Sequence, residues 1–103
     1  MKPTVYVIQD SPGKNLLPAR DYGSLKILLT HPDTKRDPVF VAKKLQLQLK
    51  DITPSDYLLL VGEPIAIGLA THIALHNTHG IVRVLRWVRE EYRYEERIVE
   101  III

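Results

Sequence analysis

The chain has 103 residues, of which 46% are hydrophobic, and its 14 Lys and Arg against 12 Asp and Glu give a formal net charge of +2. This length suits one hydrophobic core rather than two, and the small net charge argues against a dedicated nucleic-acid-binding domain. The absence of cysteine excludes disulfides, zinc–thiolate sites and thiol nucleophiles, and the sequence contains neither an apolar run of membrane-spanning length nor the apolar core of a secretory signal.

Two strands are predicted near the start of the chain. Thr4 to Gln9 is apolar on both faces, as expected of a strand covered on both sides. The turn-forming residues 10–15 end it. A second strand is predicted from Ser24 to Thr30, closed by His31-Pro32-Asp33.

A first helix is predicted to begin at Asp37-Pro38. Asp can accept hydrogen bonds from the free amides of the first turn, and proline has no amide to satisfy there. The apolar residues that follow share a helical face: Val41, Ala42, Leu45 and Leu49. The segment 45–49 also alternates like a strand, which is the competing interpretation, and the cap favours the helix.

The clearest predicted element is the apolar run Tyr57 to Val61, bounded by turn formers on both sides, as in a buried parallel strand. Pro64 opens a second helix, which runs to about Thr78 and ends before Gly80. Its polar stripe is so narrow that we expect burial against the sheet, and against a second copy of the chain.

The end of the chain is predicted to be an antiparallel hairpin of Ile81 to Arg89 and Tyr94 to Ile103, joined by a turn at 90–93. The predicted order is β-β-α-β-α-β-β. The fold class is therefore α/β: one domain spanning residues 1–103, with a mixed sheet of about five strands and two helices.

Four segments carry a resemblance: Tyr6 to Asp10, Pro18 to Gly23, Asp56 to Gly68 and Arg83 to Trp87. Together they resemble small uncharacterised bacteriophage proteins that share a strand-turn-helix segment of the form DYLLLxG[DE]PxAIG. The resemblance implies a viral accessory protein in the cytoplasm of an infected bacterium and supplies no catalytic residues. Position 63, more often Asp in the relatives, is Glu here.

A ligand site is predicted where strands run into loops at one edge of the sheet. Gly13-Lys14 hints at phosphate binding but lacks the spaced glycines of a phosphate loop, so an ordinary turn is the alternative. Gly62-Glu63-Pro64 precedes a helix whose first amides favour anions, although Glu63 would repel a phosphate. We expect an anionic small ligand such as a nucleotide, with Lys14 and Arg20 as its charge partners, at a site formed by Asp10, Ser11, Lys14, Arg20, Gly62 and Glu63.

Metal binding and catalysis have weaker signals. His72, His76 and His79 have helical spacing, but no carboxylate or cysteine in that helix completes a metal site, so we predict none. No Ser or Thr lies in a nucleophile context. We therefore expect a non-enzymatic protein without a cofactor, and a small nucleotide hydrolase is the third hypothesis.

The expected partners follow from the apolar surplus and the hairpin. Consecutive isoleucines at 101–103 cannot all face one core, which predicts a homo-oligomer. The Arg-rich hairpin gives the alternative function, a module that binds a host protein or nucleic acid. Its arginines alternate with glutamates, so cross-strand ion pairs are the simpler explanation.

Overall fold

A five-stranded mixed sheet forms the centre of the computed structural model, which describes residues 2–102. Its strands are β1 (Thr4–Gln9), β2 (Ser24–Leu29), β3 (Tyr57–Leu59), β4 (Ile81–Val88) and β5 (Arg93–Glu100). They lie in the order β2-β1-β3-β4-β5, with the first four strands parallel and β5 antiparallel to β4. The predicted α/β class, element order and terminal hairpin are confirmed. Ile103 lies outside the described residues.

The helices are α1 (His31–Thr34), α2 (Pro38–Gln48) and α3 (Pro64–Asn77), and short 3-10 turns span Leu17–Asp21 and Arg89–Glu91. The Asp37 carboxylate accepts a hydrogen bond of 2.7 Å from the Val39 amide and so caps α2. The helix is confirmed over the strand that competed for residues 45–49, and it ends at Gln48 with Leu49 as its C-cap. The one-turn helix α1 occupies the residues predicted as a simple strand stop.

Strand β3 is shorter than predicted, ending at Leu59 rather than Val61. The Val61 amide turns back to donate to the Leu59 carbonyl at 3.0 Å, and Gly62 has a φ of +130°, a conformation that suits glycine. The apolar run therefore continues past the strand, and its last residues line the edge of the sheet.

The two faces of the sheet have different covers. The connection from β1 to β2 runs across the sheet in one direction, and the connections from β2 to β3 and from β3 to β4 run in the other. Because such connections are right-handed, the segment between β1 and β2 lies on one face of the sheet and the two later segments lie on the other. Helices α2 and α3 pack on the face of Ile8 and Leu58. The segment that contains Ala19 packs on the face of Val5 and Leu59. Strands β1 and β3 are buried on both sides.

Helix α3 approaches the sheet through Ala66, Ala70 and Ala74, which are all buried. Its outer side carries Ile65, which is half-exposed, and exposed histidines. The helix is thus buried on the side that faces the sheet, as predicted. No helix within residues 2–102 combines the length and apolar character needed to cross a membrane.

Replacing Leu59 by Ala should lower the free energy of unfolding by about 2–5 kcal/mol, because it removes buried apolar atoms and leaves a cavity in the core beside the central strand. Leu59 is 1% exposed. Leu47→Ala is the matched control, since Leu47 is 72% exposed on α2 and should cost under about 0.5 kcal/mol. Urea unfolding measures both. A loss below about 1 kcal/mol at Leu59 would show that packing around β3 is not decisive.

Candidate functional site

The candidate site lies at the carboxyl ends of β1 and β3. From these neighbouring strands the chain leaves in opposite directions, from β1 towards β2 and from β3 towards β4. Loops that diverge in this way leave a crevice, and open α/β sheets bind ligands in it. In this fold, the expected place for a ligand is therefore between the loops that follow Gln9 and Leu59.

A cleft of about 580 Å³ occupies this place. Its walls come from the ends of β1 and β3, the loop after β1, and α1 with the residue that follows it. We call it the cationic cleft, since its charged side chains are two lysines and one carboxylate, Lys14, Lys35 and Glu63, which lie with the polar side chains of Gln9, Ser11, His31 and Thr34.

The floor of the cationic cleft is held by the side-chain amide of Gln9, which is only 6% exposed. Its Oε1 accepts a hydrogen bond of 2.7 Å from the Glu63 backbone amide, and its Nε2 lies 3.4 Å from Nδ1 of His31. A Cβ on residue 62 would lie 2.6 Å from both Cβ and Oε1 of Gln9, so this close approach requires Gly62. One amide thus joins β1, the start of α3 and α1.

Glu63 serves as the N-cap of α3. Its Oε2 accepts a hydrogen bond of 3.1 Å from the Ala66 amide, so the protein's own carboxylate already occupies the amino end of this helix. Pro64 has no backbone N–H that could donate a hydrogen bond to a ligand. An anion in the cationic cleft would therefore be held by lysine side chains rather than by the end of α3.

Helix α1 is held in place by a capping box and an ion pair. Thr30 and Asp33 exchange hydrogen bonds between side chain and backbone, and Lys44 Nζ lies 2.6 Å from Asp33 Oδ2. The hydrogen bond from Lys44, with that from the Thr30 amide, lowers the pKa of Asp33 below its usual value. These contacts fix α1 and, directly after it, Lys35 at the mouth of the cationic cleft.

The structure brings four of the predicted site residues to the cationic cleft: Ser11, Lys14, Gly62 and Glu63. Asp10 is exposed beside it, where its amide donates to the Leu29 carbonyl at 2.8 Å. Arg20 lines a separate cavity with Lys2 and Ser24, at the edge where β1 and β2 begin.

The prediction missed the residues that α1 contributes, together with Gln9. A signal for them existed in the sequence. The turn His31-Pro32-Asp33 ends a strand predicted to lie in the same sheet as β1, and parallel neighbours end at the same edge. Lys35 follows that turn closely enough to reach the same crevice.

A second cavity, of about 300 Å³, lies beside the cationic cleft and shares Lys14, Leu60 and Val61 with it. Trp87 and Tyr94 line its other side, with ring centroids 5.0 Å apart at 67°. We call it the aromatic hollow. The Tyr94 hydroxyl donates to the Asn15 carbonyl at 2.9 Å, which fixes the loop after β1 over it, and burial raises the pKa of Tyr94.

Three arginines of the hairpin form ion pairs with glutamates: Arg86, Arg93 and Arg97. Arg86 pairs with Glu95 across the two strands, and its Nε lies 3.2 Å from Glu95 Oε1. Arg97 Nε lies 2.6 Å from the same oxygen. The hydrogen bond from Arg97 lowers the pKa of Glu95. Arg93 lies 2.9 Å from Glu91. Arg86–Glu95 is the cross-strand pair that the sequence suggested, whereas the pairs of Arg97 and Arg93 join residues two apart in sequence.

The histidines of α3 do not assemble with other ligating side chains. His72 and His76 are exposed and line a groove with Gln46 and Lys50 of the α2 region. In the part of the chain from 2 to 102, no group of three or more His, Cys, Asp or Glu side chains could hold a metal ion.

The sequence model of a family described as Phage Pam3 gp32-like protein matches residues 3–101. The chain belongs to this family. Membership of the Phage Pam3 gp32-like family covers both strands and all loops of the cationic cleft, and it confirms the resemblance to small phage proteins of unknown role. No curated protein and no solved structure shows significant similarity to the chain.

Asp33→Asn should destabilise the protein by about 0.5–1 kcal/mol at pH 7, because the amide keeps the shape of the side chain but loses the charge that faces Lys44. The pKa of Asp33 is lowered by folding, so its stabilising effect is present above the ordinary value of 3.8 and is lost as the pH falls through the lowered value. Urea unfolding of both proteins at pH 7 and near pH 2.5 should show the gap closing.

Asp51→Asn, at an exposed position after α2, is the control for a general loss of negative charge. It should leave stability unchanged at both pH values. An Asp33→Asn gap of equal size at pH 7 and at low pH would contradict the assignment to the ionised carboxylate.

Proposed function

We propose that this phage protein is a non-enzymatic accessory protein that binds an anionic small ligand, such as a nucleotide, in the cationic cleft. The observation that carries the proposal is the convergence of Lys14 and Lys35, from segments on different strands, at the switch point of the sheet. The only carboxylate among the polar side chains of the cleft, Glu63, is turned to the amide of Ala66.

The chemistry of the cleft favours phosphate-like groups. Two ammonium groups supply charge without fixing a single geometry, and the Ser11 hydroxyl can donate a hydrogen bond beside them. Leu60, Val61 and Ile67 add an apolar wall beside these polar groups, a combination that is common in small-molecule sites. A site of this kind binds an anion without performing chemistry on it, and the sequence provides no activated nucleophile.

In a thermal shift screen of nucleoside monophosphates and inorganic pyrophosphate, at least one of these anions should raise the melting temperature of the protein. A ligand of the folded state raises the melting temperature, by an amount that corresponds to about 2.7 kcal/mol at a hundredfold excess over Kd. Lys14→Ala and Lys35→Ala should each weaken affinity about tenfold, since each removes a charged hydrogen-bond donor. Calorimetric titration measures the change.

Two variants serve as controls for this screen. Lys43→Ala removes the same charge from an exposed position on α2, and Arg20→Ala tests the sequence-predicted partner that lies at the opposite edge of the sheet. Both should bind as the wild type does. An equal loss of affinity in all four variants would show that the anion responds to the net charge of the protein rather than to the cationic cleft. The absence of a thermal shift with every anion would overturn the proposal.

The alternative function is a protein- or nucleic-acid-binding module that uses the Arg-rich hairpin, with a host protein as partner. Arg89 and Tyr92, both exposed at the turn, are the side chains that favour it. The ion pairs of Arg86, Arg93 and Arg97 count against it. Steeply salt-dependent binding of a single-stranded oligonucleotide, lost on Arg89→Glu, would favour this alternative.

We also propose that the protein self-associates in the host-cell cytoplasm. Strand β5 is an edge strand, and Ile98 on it is 64% exposed. Ile98 pairs with Arg83, so Ile81, two residues before Arg83, projects from the same face and is partly exposed. A two-fold contact between copies would cover this pair, and the charged side chains along β5 would limit further strand addition.

Ile98→Lys should therefore convert a dimer into a monomer, because a lysine on the two-fold contact brings two charges together in an apolar interface. Sedimentation velocity at about 100 μM would report it, well above the micromolar affinity of a weak dimer. Leu47→Lys, on the exposed side of α2, is the matched control and should leave the dimer intact. A wild-type protein that sediments as a monomer at this concentration would rule out the self-association.

A further inference from the structure

We infer that the ligand of the cationic cleft carries a planar aromatic group, as a nucleoside phosphate does, and that this group binds in the aromatic hollow against Trp87. The inference rests on the proposed anion site and adds a second half to it. Lys14, Leu60 and Val61 line both cavities, so the two lie side by side, and this adjacency is what suggests one ligand that spans them.

The aromatic hollow has the composition that a planar ring requires. Leu59, Leu60 and Val61 form an apolar wall, and Trp87 faces it from β4 as a half-buried side chain. An indole that is only partly covered offers an aromatic face on which a base can stack, and such stacking tolerates different bases. Lys14 and Asn15 are the charged and amide side chains of this lining, and no carboxylate among the described residues belongs to it.

The hollow is held open by contacts within the protein. Tyr94 is 5% exposed, and its ring meets Trp87 edge-on. The Tyr94 hydroxyl donates a hydrogen bond to the Asn15 carbonyl, and the Tyr94 backbone carbonyl accepts a hydrogen bond of 3.3 Å from the Tyr22 hydroxyl. Tyr94 therefore supports Trp87 and the loop, while Trp87 supplies the contact surface. A cavity fixed in this way needs little reorganisation when a ligand enters.

Lys14 joins the two halves of the site. It lies on the loop that Tyr94 fixes, and it lines both cavities. A ligand whose ring lies against Trp87 would place its anionic group towards Lys14 and, beyond it, Lys35. This arrangement matches a nucleoside monophosphate, in which a sugar separates the base from the phosphate.

The test uses Trp87 as its own reporter, because it is the single tryptophan of the chain. The full-length protein is titrated with the four ribonucleoside 5′-monophosphates, with adenosine and with ribose 5-phosphate. At least one nucleotide should change the Trp87 emission saturably and bind about tenfold more tightly than ribose 5-phosphate, which lacks the base.

The variants Trp87→Leu and Trp87→Phe are then compared by calorimetry. Trp87→Leu should remove the preference for the nucleotide over ribose 5-phosphate, whereas Trp87→Phe, which keeps a ring and guards against loss of folding, should retain most of it. Tyr92→Asn is the control, since Tyr92 is an exposed aromatic of the same hairpin with a left-handed backbone that asparagine tolerates.

The outcomes separate this inference from the proposed anion site. Equal binding of nucleotide and ribose 5-phosphate, with both unaffected by Trp87→Leu, would overturn the aromatic site and leave the anion site standing. Binding of adenosine alone, with no gain from the phosphate and no effect of Lys14→Ala, would support the aromatic hollow and overturn the anion site. Absence of binding by every probe would overturn both.

Discussion

The buried amide of Gln9 is the contact on which the candidate site depends. A buried amide must have its hydrogen bonds satisfied, and Gln9 satisfies its own by joining the Glu63 backbone to the His31 ring. The contact is available only because residue 62 lacks a Cβ. Three loops that would otherwise diverge from the edge of the sheet are thereby held around one cleft.

This arrangement changes how the fold can attract an anion. In many α/β proteins a phosphate rests on the amino end of a helix that follows a strand. Here Glu63 caps that helix with its own carboxylate, and the positive charge comes from Lys14 and Lys35 on either side. Long lysine side chains adapt to several anions, so selectivity would have to come from the apolar part of the site.

The sequence predicted the elements well where local signals are strong. Asp37-Pro38 marks a helix start by capping chemistry, Pro64 marks the start of the next helix, and the apolar run from Tyr57 has the composition of a buried strand. It predicted the site less well, since Arg20 and Lys14 are close in sequence but lie at opposite edges of the sheet. Lys35 had a signal in the turn that ends the second strand, but the strand order β2-β1-β3 is what shows that this loop and the loop after β1 meet.

The central position of the first strand has a consequence for synthesis of the chain. Strand β1 lies between β2 and β3, and the contact of Thr4 with Asp56 joins positions 52 apart. Residues 57–59, some fifty positions after β1, must therefore leave the ribosome before β1 gains its second neighbour. Until then Val5 to Ile8 present an apolar open edge, and pairing over such a distance is slow compared with helix formation. The nascent protein is thus most prone to aggregation after β2 has left the ribosome and before residues 57–59 follow, because one side of β1 is then still unpaired.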